Sequence, residues 1–297
     1  MKEKSRVIVY GAGEGGRNFI ERQKEYEILA IVDTFATGKL GEFDIVSPLE
    51  IVKYEFDYII ITSMFSDEII SYLTINKIVP REKIKVAPKN YILQEANPFL
   101  DETTYRIATK TLNVIINLMN KYELEYFISG GTLLGLVREQ AIIKHDNDID
   151  FDIRIADSSE DLFSIFKEVG NKLSEETELD WKVKFRYTED GALHSITIDF
   201  DETETYKNFD ISFRVVQSFT DSKVRVGFLI VDKEHYESCE YLNINNLKIR
   251  TYNNYKGYLK YVYGNWEVPD KDFGFSDYPE VYKLSYEEYK KHKIVTL

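Results

Sequence analysis

The sequence predicts an α/β protein with two domains, in which a parallel-sheet domain is followed by an α+β domain. Strand-like and helix-like segments alternate through the first third of the 297 residues, a pattern typical of a parallel sheet. This pattern is lost around Asn97-Pro98, a turn-forming pair that we interpret as a linker. Several strand-like segments then follow one another after residue 180. We therefore predict one domain at residues 1–95 and a second at residues 100–297.

The composition excludes several classes of protein. Hydrophobic residues make up 43% of the chain, which allows a sizeable core and argues against disorder. The net charge of −13 argues against a general binder of nucleic acid or of anionic membranes, because such proteins need a basic surface. Cys239 is the only cysteine, which excludes an intrachain disulfide and a cysteine-based zinc site. His194, His235 and His292 show no metal-ligand spacing.

The lengths of the apolar runs bear on the location of the protein in the cell. None approaches the ~20 residues that a membrane-spanning helix requires. The N-terminal segment lacks the apolar core and small-residue cleavage site of a signal peptide. We therefore expect a cytoplasmic protein with no membrane span and no nucleic-acid partner. The sequence does not predict the oligomeric state.

The first domain begins with a predicted strand, loop and helix. Apolar runs predict buried strands, and apolar residues at helical spacing predict the helices between them. In chain order these are a strand at 6–10, a helix at 15–25, and strands at 27–33 and 57–64, followed by a helix at 66–78 and a strand at 83–88.

A glycine motif lies between the first strand and the first helix. Gly11, Gly13 and Gly16 stand in G-x-G-x-x-G order, and Asp33 ends the second strand. Such glycines permit a tight turn and the close approach of a pyrophosphate, and the acidic residue is placed to bind ribose hydroxyls. The segment resembles the small Rossmann-like domain at the front of sugar-modifying enzymes of polysaccharide gene clusters. The resemblance implies either a bound nucleotide or dinucleotide, or a scaffold role alone.

The second domain opens with a long amphipathic helix. A strand, a short helix that follows a glycine pair, an alternating strand and a further helix come next. In order, the predicted elements lie at 102–124, 125–128, 131–140, 146–155 and 157–176. Four strand-like segments follow, and an aromatic-rich segment is predicted to be helical as far as Pro269.

The alternating strand carries aspartates at every second position, at Asp146, Asp148, Asp150 and Asp152. Alternate residues of a strand share a face, so these carboxylates are predicted to lie together. Burying them costs free energy unless a divalent cation offsets their charge, and carboxylates suit Mg²⁺ or Mn²⁺. The alternative is an edge strand whose acids face water. We interpret Asp148 and Asp150 as the metal ligands, Asp146 as a helper and Asp152 as the exposed end of the strand.

The glycine pair supplies a second element of the same site. Gly130 and Gly131 follow a predicted strand and precede a helix, where backbone N–H groups can hold phosphate oxygens. A phosphate-binding turn beside a metal-binding pair of acids is the minimum set for phosphoryl or nucleotidyl transfer.

The string GGTLLGLVREQAIIKHDNDIDFDI, residues 130–153, resembles the LicD family of bacterial phosphorylcholine transferases, which are related to fukutin and fukutin-related protein. Residues 131–135 and Arg138 match the family element G-T-L-L-G-x-x-R, and the acids at 146, 148 and 150 match W-D-D-D-I-D. His145 replaces the usual tryptophan and Asn147 the middle aspartate. His145 is either a base near the metal or a packed replacement.

The resemblance implies an α+β nucleotidyltransferase fold and a LicD-like phosphotransferase (EC 2.7 class). The reaction implied is Mg²⁺-dependent transfer of a phosphocholine, phosphoglycerol or phosphoribitol type of group from a CDP-linked donor. The acceptor is a sugar hydroxyl of a cell-surface glycan, such as a capsule, teichoic acid or lipopolysaccharide.

The resemblance also implies roles for residues. Asp148 and Asp150 would hold the metal. A third carboxylate, Asp210, would complete the metal shell or accept a proton, with Asp199 and Asp201 as rivals for that position. Gly130, Gly131, Thr132 and Arg138 would bind phosphate, although Arg138 could instead form an ion pair with Glu139.

Two other functions stay open at this point. One is a nucleotidyltransferase of the same fold that moves a nucleoside monophosphate from an NTP. The other is a non-catalytic scaffold that uses the glycine motif of the first domain.

Overall fold

The computed structural model describes residues 4–63, 65–92, 97–155, 162–270, 277–282, 285, 288 and 291–297. The chain divides into two compact units, Met1–Ala96 and Asn97–Leu297. Both contain strands and helices, so the α/β class predicted from the sequence is confirmed. No helix in the described part of the chain is long and apolar enough to cross a membrane.

The first unit is a largely parallel sheet with helices. Its described elements are β1 (Ser5–Tyr10), α1 (Glu14–Arg22), β2 (Tyr26–Val32), β3 (Gly38–Leu40), β4 (Phe43–Val46), β5 (Tyr58–Ile61), α2 (Ser66–Ile75), β6 (Ile84–Val86) and α3 (Lys89–Ile92). The strand order is β3-β4-β2-β1-β5-β6, and only the β3–β4 pair is antiparallel. The consecutive buried residues of β1 and β5 supply cores to both faces, as central strands of parallel sheets do.

The second unit is an antiparallel sheet with one parallel pair, packed with helices. Its described elements are α4 (Glu102–Lys121), β7 (Tyr126–Ile128), α5 (Gly130–Glu139), β8 (Asp148–Ile153), α6 (Leu162–Thr177), β9 (Lys182–Tyr187), β10 (Leu193–Asp199), β11 (Asp210–Ser218), β12 (Lys223–Val226), β13 (Leu229–Asp232), β14 (Cys239–Ile244), β15 (Leu247–Tyr252), α7 (Tyr255–Tyr263) and β16 (Lys293–Thr296). The sheet runs β13-β12-β11-β10-β9-β16, and β8 pairs with both β11 and β7. The β14–β15 hairpin is separate.

The pairing of β8 with β11 is parallel and organises the site. Asp148 lies opposite Asp210, Asp150 opposite Ser212, and Asp152 opposite Arg214. The residues between these polar ones are buried, and the rings of Phe151 and Phe213 stack with centroids 4.7 Å apart. One face of the strand pair is therefore anchored in the core, while the other carries the acids.

The predicted end of the C-terminal helix differs from the structure, and the predicted start of another helix lies outside the described residues. The C-terminal helix ends at Tyr263 rather than near Pro269, because Gly264 adopts φ +62° and caps it. The predicted start of the helix at 157–176 falls at residues 156–161, which lie outside the described residues, and α6 is described from Leu162.

Candidate active site

A cleft of about 960 Å³ opens in the second unit, beside the start of β8. Three of the predicted acids line it, Asp146, Asp148 and Asp150, together with Gly130 and Gly131. The N-terminus of α5 and the acid-bearing strand therefore meet in one concave site, which is where ligands usually bind.

The glycine pair makes room for two of these acids. A Cβ at Gly130 would lie 2.9 Å from Cγ of Asp150, and a Cβ at Gly131 would lie 3.0 Å from Cγ of Asp146. Gly130 also adopts φ +57°, a left-handed conformation that favours glycine. The structure thus places carboxylates directly against the first turn of α5, where the helix dipole favours negative charge.

Backbone and hydroxyl hydrogen bonds hold α5 against β8. The Ser129 N–H donates to the carbonyl of Asp150 at 3.1 Å. The Asp150 N–H donates to Oγ1 of Thr132 at 2.9 Å. Thr132 is buried, and its hydroxyl fixes the strand that carries the acids. Its predicted contact with phosphate stays a prediction.

The cleft acids have raised pKa values. Burial raises the pKa of Asp146 to about 6, and the charge of Asp150 is the second cause. Burial raises the pKa of Asp148 well above its usual value, and the charges of Asp150, Asp146 and Asp210 add to it. Burial also raises the pKa of Asp150, while the cation of Arg214 lowers it. A cluster of mutually repelling carboxylates in a cleft is a suitable binding site for a divalent cation.

Asp210 lies nearest to these acids among the three candidates for the third carboxylate. It is opposite Asp148 in the strand register, and Oγ of Ser212 donates to its Oδ2 at 3.2 Å. Burial raises the pKa of Asp210, and Asp150 adds to the rise. The rivals Asp199 and Asp201 form ion pairs with lysines of β9.

Asp152 is fully buried, and the interpretation of this residue as the exposed end of the strand was wrong. Its Oδ1 accepts from Nε of Arg214 at 2.9 Å and lies 2.8 Å from Nη2. Its Oδ2 accepts from the hydroxyls of Tyr236 at 2.6 Å and Tyr252 at 2.5 Å. Asp152 therefore anchors the strand from within rather than binding a ligand in the cleft.

Residues 123–254, which contain the glycine pair and all of the aspartates described above, match the model of the LicD/FKTN/FKRP nucleotidyltransferase domain. The chain carries a LicD-family domain. At a coarse level this supports a transferase of the phosphotransferase and glycan-modifying kind. No curated protein matches the chain at a significant level.

Arg138 lies at the rim of the LicD cleft and has protein partners. Its Nη2 and Nε donate to Oε1 of Glu139 at 2.7 and 3.1 Å, and its Nη1 donates to the carbonyl of Trp266 at 3.3 Å. The alternative partner predicted for Arg138, an ion pair with Glu139, is therefore present. His145 is exposed and lines the same cleft, so it does not pack as a buried replacement for tryptophan.

An aromatic wall also lines the LicD cleft. It consists of Phe228, Tyr263, Trp266 and Tyr278. Tyr263 and Trp266 lie in the aromatic-rich segment that precedes Pro269, whereas Phe228 and Tyr278 come from other parts of the chain. The ring centroids of Phe228 and Tyr278 lie 5.1 Å apart in an edge-to-face arrangement.

A second group of possible metal ligands lies outside the cleft. Asp232, Glu234 and His235 offer ligand atoms within 4.8 Å of one another, the one such trio among the residues that the structure describes. The cleft carboxylates, which repel one another, do not form such a trio. Lys223 Nζ lies 3.6 Å from Asp232 Oδ1, so a cation already pairs with this group. The trio is not apparent from the spacing of the histidines, because only one of its three ligands is a histidine.

In the first unit, two of the three motif glycines are packed tightly against neighbouring atoms of the same unit. A Cβ at Gly11 would lie 2.8 Å from Oγ1 of Thr62, and a Cβ at Gly16 would lie 3.1 Å from the carbonyl carbon of Gly11, so both glycines are required by packing. Around Gly13 there is open space. The binding of a nucleotide by these glycines stays a prediction.

Asp33 also serves the loop of the first unit. Its Oδ2 accepts from the N–H of Ala12, and its Oδ1 accepts from the N–H groups of Phe35 and Ala36, each at 2.9 Å. The N–H of Ala12, which belongs to the loop that would face a pyrophosphate, therefore donates its hydrogen bond to Asp33, the acid that would bind the ribose. The predicted contact with ribose stays a prediction.

The first unit also matches a family model. Residues 3–85 match the N-terminal domain called C2185-like.

Solved structures with partial similarity are described as oxidoreductases. One is from Bacillus subtilis (11% identity, 76% of this chain and 69% of that one, TM-score 0.24) and one from Bacteroides fragilis (12%, 88% and 89%, TM-score 0.20). A third is a myo-inositol dehydrogenase from Corynebacterium glutamicum (11%, 83% and 80%, TM-score 0.22). At these TM-scores the likeness supports no statement about activity.

Proposed function

We propose that the LicD domain transfers a phospho-alcohol group from a CDP-linked donor to a hydroxyl of a glycan. The observation that carries the proposal is that Gly130 and Gly131, which lack side chains, leave space for the carboxylates of Asp150 and Asp146 in the cleft of a LicD domain. Neither glycine tolerates a side chain without displacing an acid, so the packing of the first turn of α5 is specialised to bring acids into the cleft.

The residues present fit a divalent cation. Asp148 and Asp150 would hold it, because both carboxylates line the cleft and the charge of Asp150 helps to raise the pKa of Asp148. Hard oxygen ligands of this kind suit Mg²⁺ or Mn²⁺. Such an ion supplies charge neutralisation for the donor diphosphate and for the leaving nucleotide. The chain's own contribution is to hold the acids rigidly through the buried residues of β8 and β11.

The reaction would break one P–O bond and form another. The acceptor hydroxyl attacks the phosphorus that carries the alcohol, the bond from this phosphorus to the bridging oxygen breaks, and CMP leaves. Asp210 would accept the proton of the hydroxyl, because it lies beside Asp148 and its pKa is raised by burial. Asp146 would assist as a ligand or as a hydrogen-bond partner of Asp148.

A second candidate is transfer of a nucleoside monophosphate from an NTP, with pyrophosphate as the leaving group. The matched domain is a nucleotidyltransferase domain by fold, which favours this alternative. Both reactions use the same acids and differ in which phosphorus is attacked.

Binding of candidate donors separates the two. We expect CDP-choline, CDP-glycerol or CDP-ribitol to raise the melting temperature in the presence of Mg²⁺, and more than CTP or ATP does. The Asp148→Asn/Asp150→Asn variant should lose this shift and the transferase activity, whereas Asp201→Asn, an exposed acid outside the cleft, should keep both. Stabilisation by CTP and ATP alone would favour the alternative, and an active double variant would refute both.

A further inference from the structure

Arg214 is a cleft residue that the proposed mechanism does not use. It lies on β11 opposite Asp152 and lines the cleft with Gly130 and Asp150. We propose that Arg214 is a phosphate-binding residue, whose guanidinium is fixed on one side by Asp152 and Ser129 and binds an oxygen of the donor diphosphate. The identity of that diphosphate as part of a CDP-linked donor rests on the proposed function.

The guanidinium is held in one orientation. Nε and Nη2 both lie within hydrogen-bond distance of Asp152 Oδ1, at 2.9 and 2.8 Å. Nη2 also donates to Oγ of Ser129 at 2.8 Å. Asp152 is itself fixed by two tyrosine hydroxyls. A guanidinium held in this way loses little further conformational entropy when it binds a ligand.

One nitrogen of Arg214 is left for such a ligand. Nη1 has no hydrogen-bond partner in the part of the chain that the structure describes. Nη1 is therefore not a fully buried atom, because it is absent from the fully buried polar atoms that lack a partner, and 13% of the surface of the Arg214 side chain is exposed. Because the residue lines the cleft, we assign this remaining donor to a ligand there.

The carboxylates of the cleft and the negative charge of a bound diphosphate would together favour a further cation at this place. A single divalent ion offsets two of the cleft carboxylates and leaves the charge of the incoming diphosphate unbalanced. The other cations lining the described cleft are engaged elsewhere, since Arg138 pairs with Glu139 and Lys144 with Glu102. Arg214 is rigid and next to Asp150, and a planar guanidinium matches phosphate oxygens.

The competing explanation is that Arg214 only neutralises Asp152. Inorganic pyrophosphate is a suitable probe, because it carries the phosphate groups without base or alcohol. Binding of Mn²⁺ alone and of pyrophosphate in saturating Mn²⁺ would be measured by calorimetry, with the melting temperature as a check on folding. Arg214→Lys keeps a positive charge beside Asp152 but lacks the third nitrogen of the fork.

We expect Arg214→Lys to weaken pyrophosphate binding about tenfold or more while Mn²⁺ binding stays within about twofold of wild type, as for loss of one charge-assisted contact. Arg250→Lys is the matched control, since Arg250 is equally buried, at 14% exposed, and lies outside the cleft lining. A purely structural role predicts weakened Mn²⁺ binding, or no change in either.

Two further outcomes are informative. If Arg214→Lys does not fold, the neutral pair Asp152→Asn/Arg214→Gln avoids an unpaired buried charge and should show the same selective loss. Pyrophosphate binding by either folded variant at wild-type strength, or no binding by wild type, overturns the inference. Selective loss of pyrophosphate binding in a protein that binds no CDP-alcohol would retain the role of Arg214 and refute the proposed function.

Discussion

Gly130 and Asp150 occupy adjoining space, such that a Cβ on the glycine would lie 2.9 Å from the carboxylate carbon of the aspartate. The contact joins the first turn of α5 to the acid-bearing strand β8. The same relationship recurs one residue later between Gly131 and Asp146.

We expect Gly130→Ala to destabilise the second unit by about 2 kcal/mol or more, because it adds left-handed strain to overpacking. Gly131→Ala meets only the overpacking, since its φ is not left-handed, and should cost less. Urea unfolding measures both. Removing the obstructing carboxylate in Gly130→Ala/Asp150→Ala should recover part of the loss, and strictly additive effects would contradict the contact.

Asp148→Asn should stabilise the protein in the absence of divalent ions and reduce its activity. The change removes one of several mutually repelling carboxylates whose pKa is raised by burial and by its neighbours. We expect a higher melting temperature in EDTA, loss of the Mg²⁺-dependent shift and a fall in transferase activity of at least about a hundredfold. Unchanged response to Mg²⁺ would exclude Asp148 as a ligand.

Tyr252→Phe should cost about 1.5–3 kcal/mol, the usual contribution of a hydrogen bond to a buried charged group. Its hydroxyl donates to Oδ2 of Asp152, which is fully buried. Chemical denaturation measures the loss. Tyr241→Phe, at a tyrosine that is 49% exposed, is the control and should change stability by less than about 0.5 kcal/mol. Equal stabilities would show that Asp152 does not need this donor.

Acid should destabilise the protein partly through His194. Burial, followed by the charges of His292, Arg225 and Arg186, lowers the pKa of His194 from 6.5 to about 4. The unfolded chain thus binds this proton more readily. The contribution of the neutral ring is complete above pH 6.5 and is lost as the pH falls towards 4. Urea unfolding at several pH values should show a shallower decline for His194→Gln than for wild type, and an identical decline would contradict it.

Asp33→Ala should destabilise the first unit whether or not a nucleotide binds there. The carboxylate accepts three backbone N–H groups, and their loss should cost about 1–3 kcal/mol. Asp44→Ala, which removes an exposed partner of Lys39, is the control. Titration of NAD and of a UDP-sugar into wild type and Gly13→Val tests the nucleotide prediction separately, and equal binding by both would refute the glycine-loop site.

Much of the candidate site follows from strand alternation. The period of two predicted which aspartates share a face, and the intervening apolar residues predicted a buried strand. Alternation gives the face of a residue but not its depth, which is why Asp152 was misjudged. Its burial depends on Arg214, 62 positions away in the chain. The register of β8 with β11 could not be predicted from the sequence either, because no local feature specifies a parallel pairing between distant strands.

The glycines show the same limit. Two glycines before a helix predict close approach of something to the backbone, and the sequence suggested phosphate. The neighbours found at Gly130 and Gly131 are carboxylates of the same chain. In the first unit, Asp33 stands at the position expected for a ribose ligand but accepts hydrogen bonds from its own loop. In both cases the spacing was recognisable, while the partner depended on the tertiary fold.

The aromatic wall has a consequence for how this protein can diverge from its relatives. The acids and glycines lie within residues 123–254, which match the family, whereas Tyr263, Trp266 and Tyr278 come after this range. Arg138 joins the two stretches through the carbonyl of Trp266. The acids to which the proposed function assigns the chemistry and most of the aromatic wall are therefore encoded separately. If the proposed function holds, substitutions in the later stretch would change which molecules fit the cleft without altering the acids.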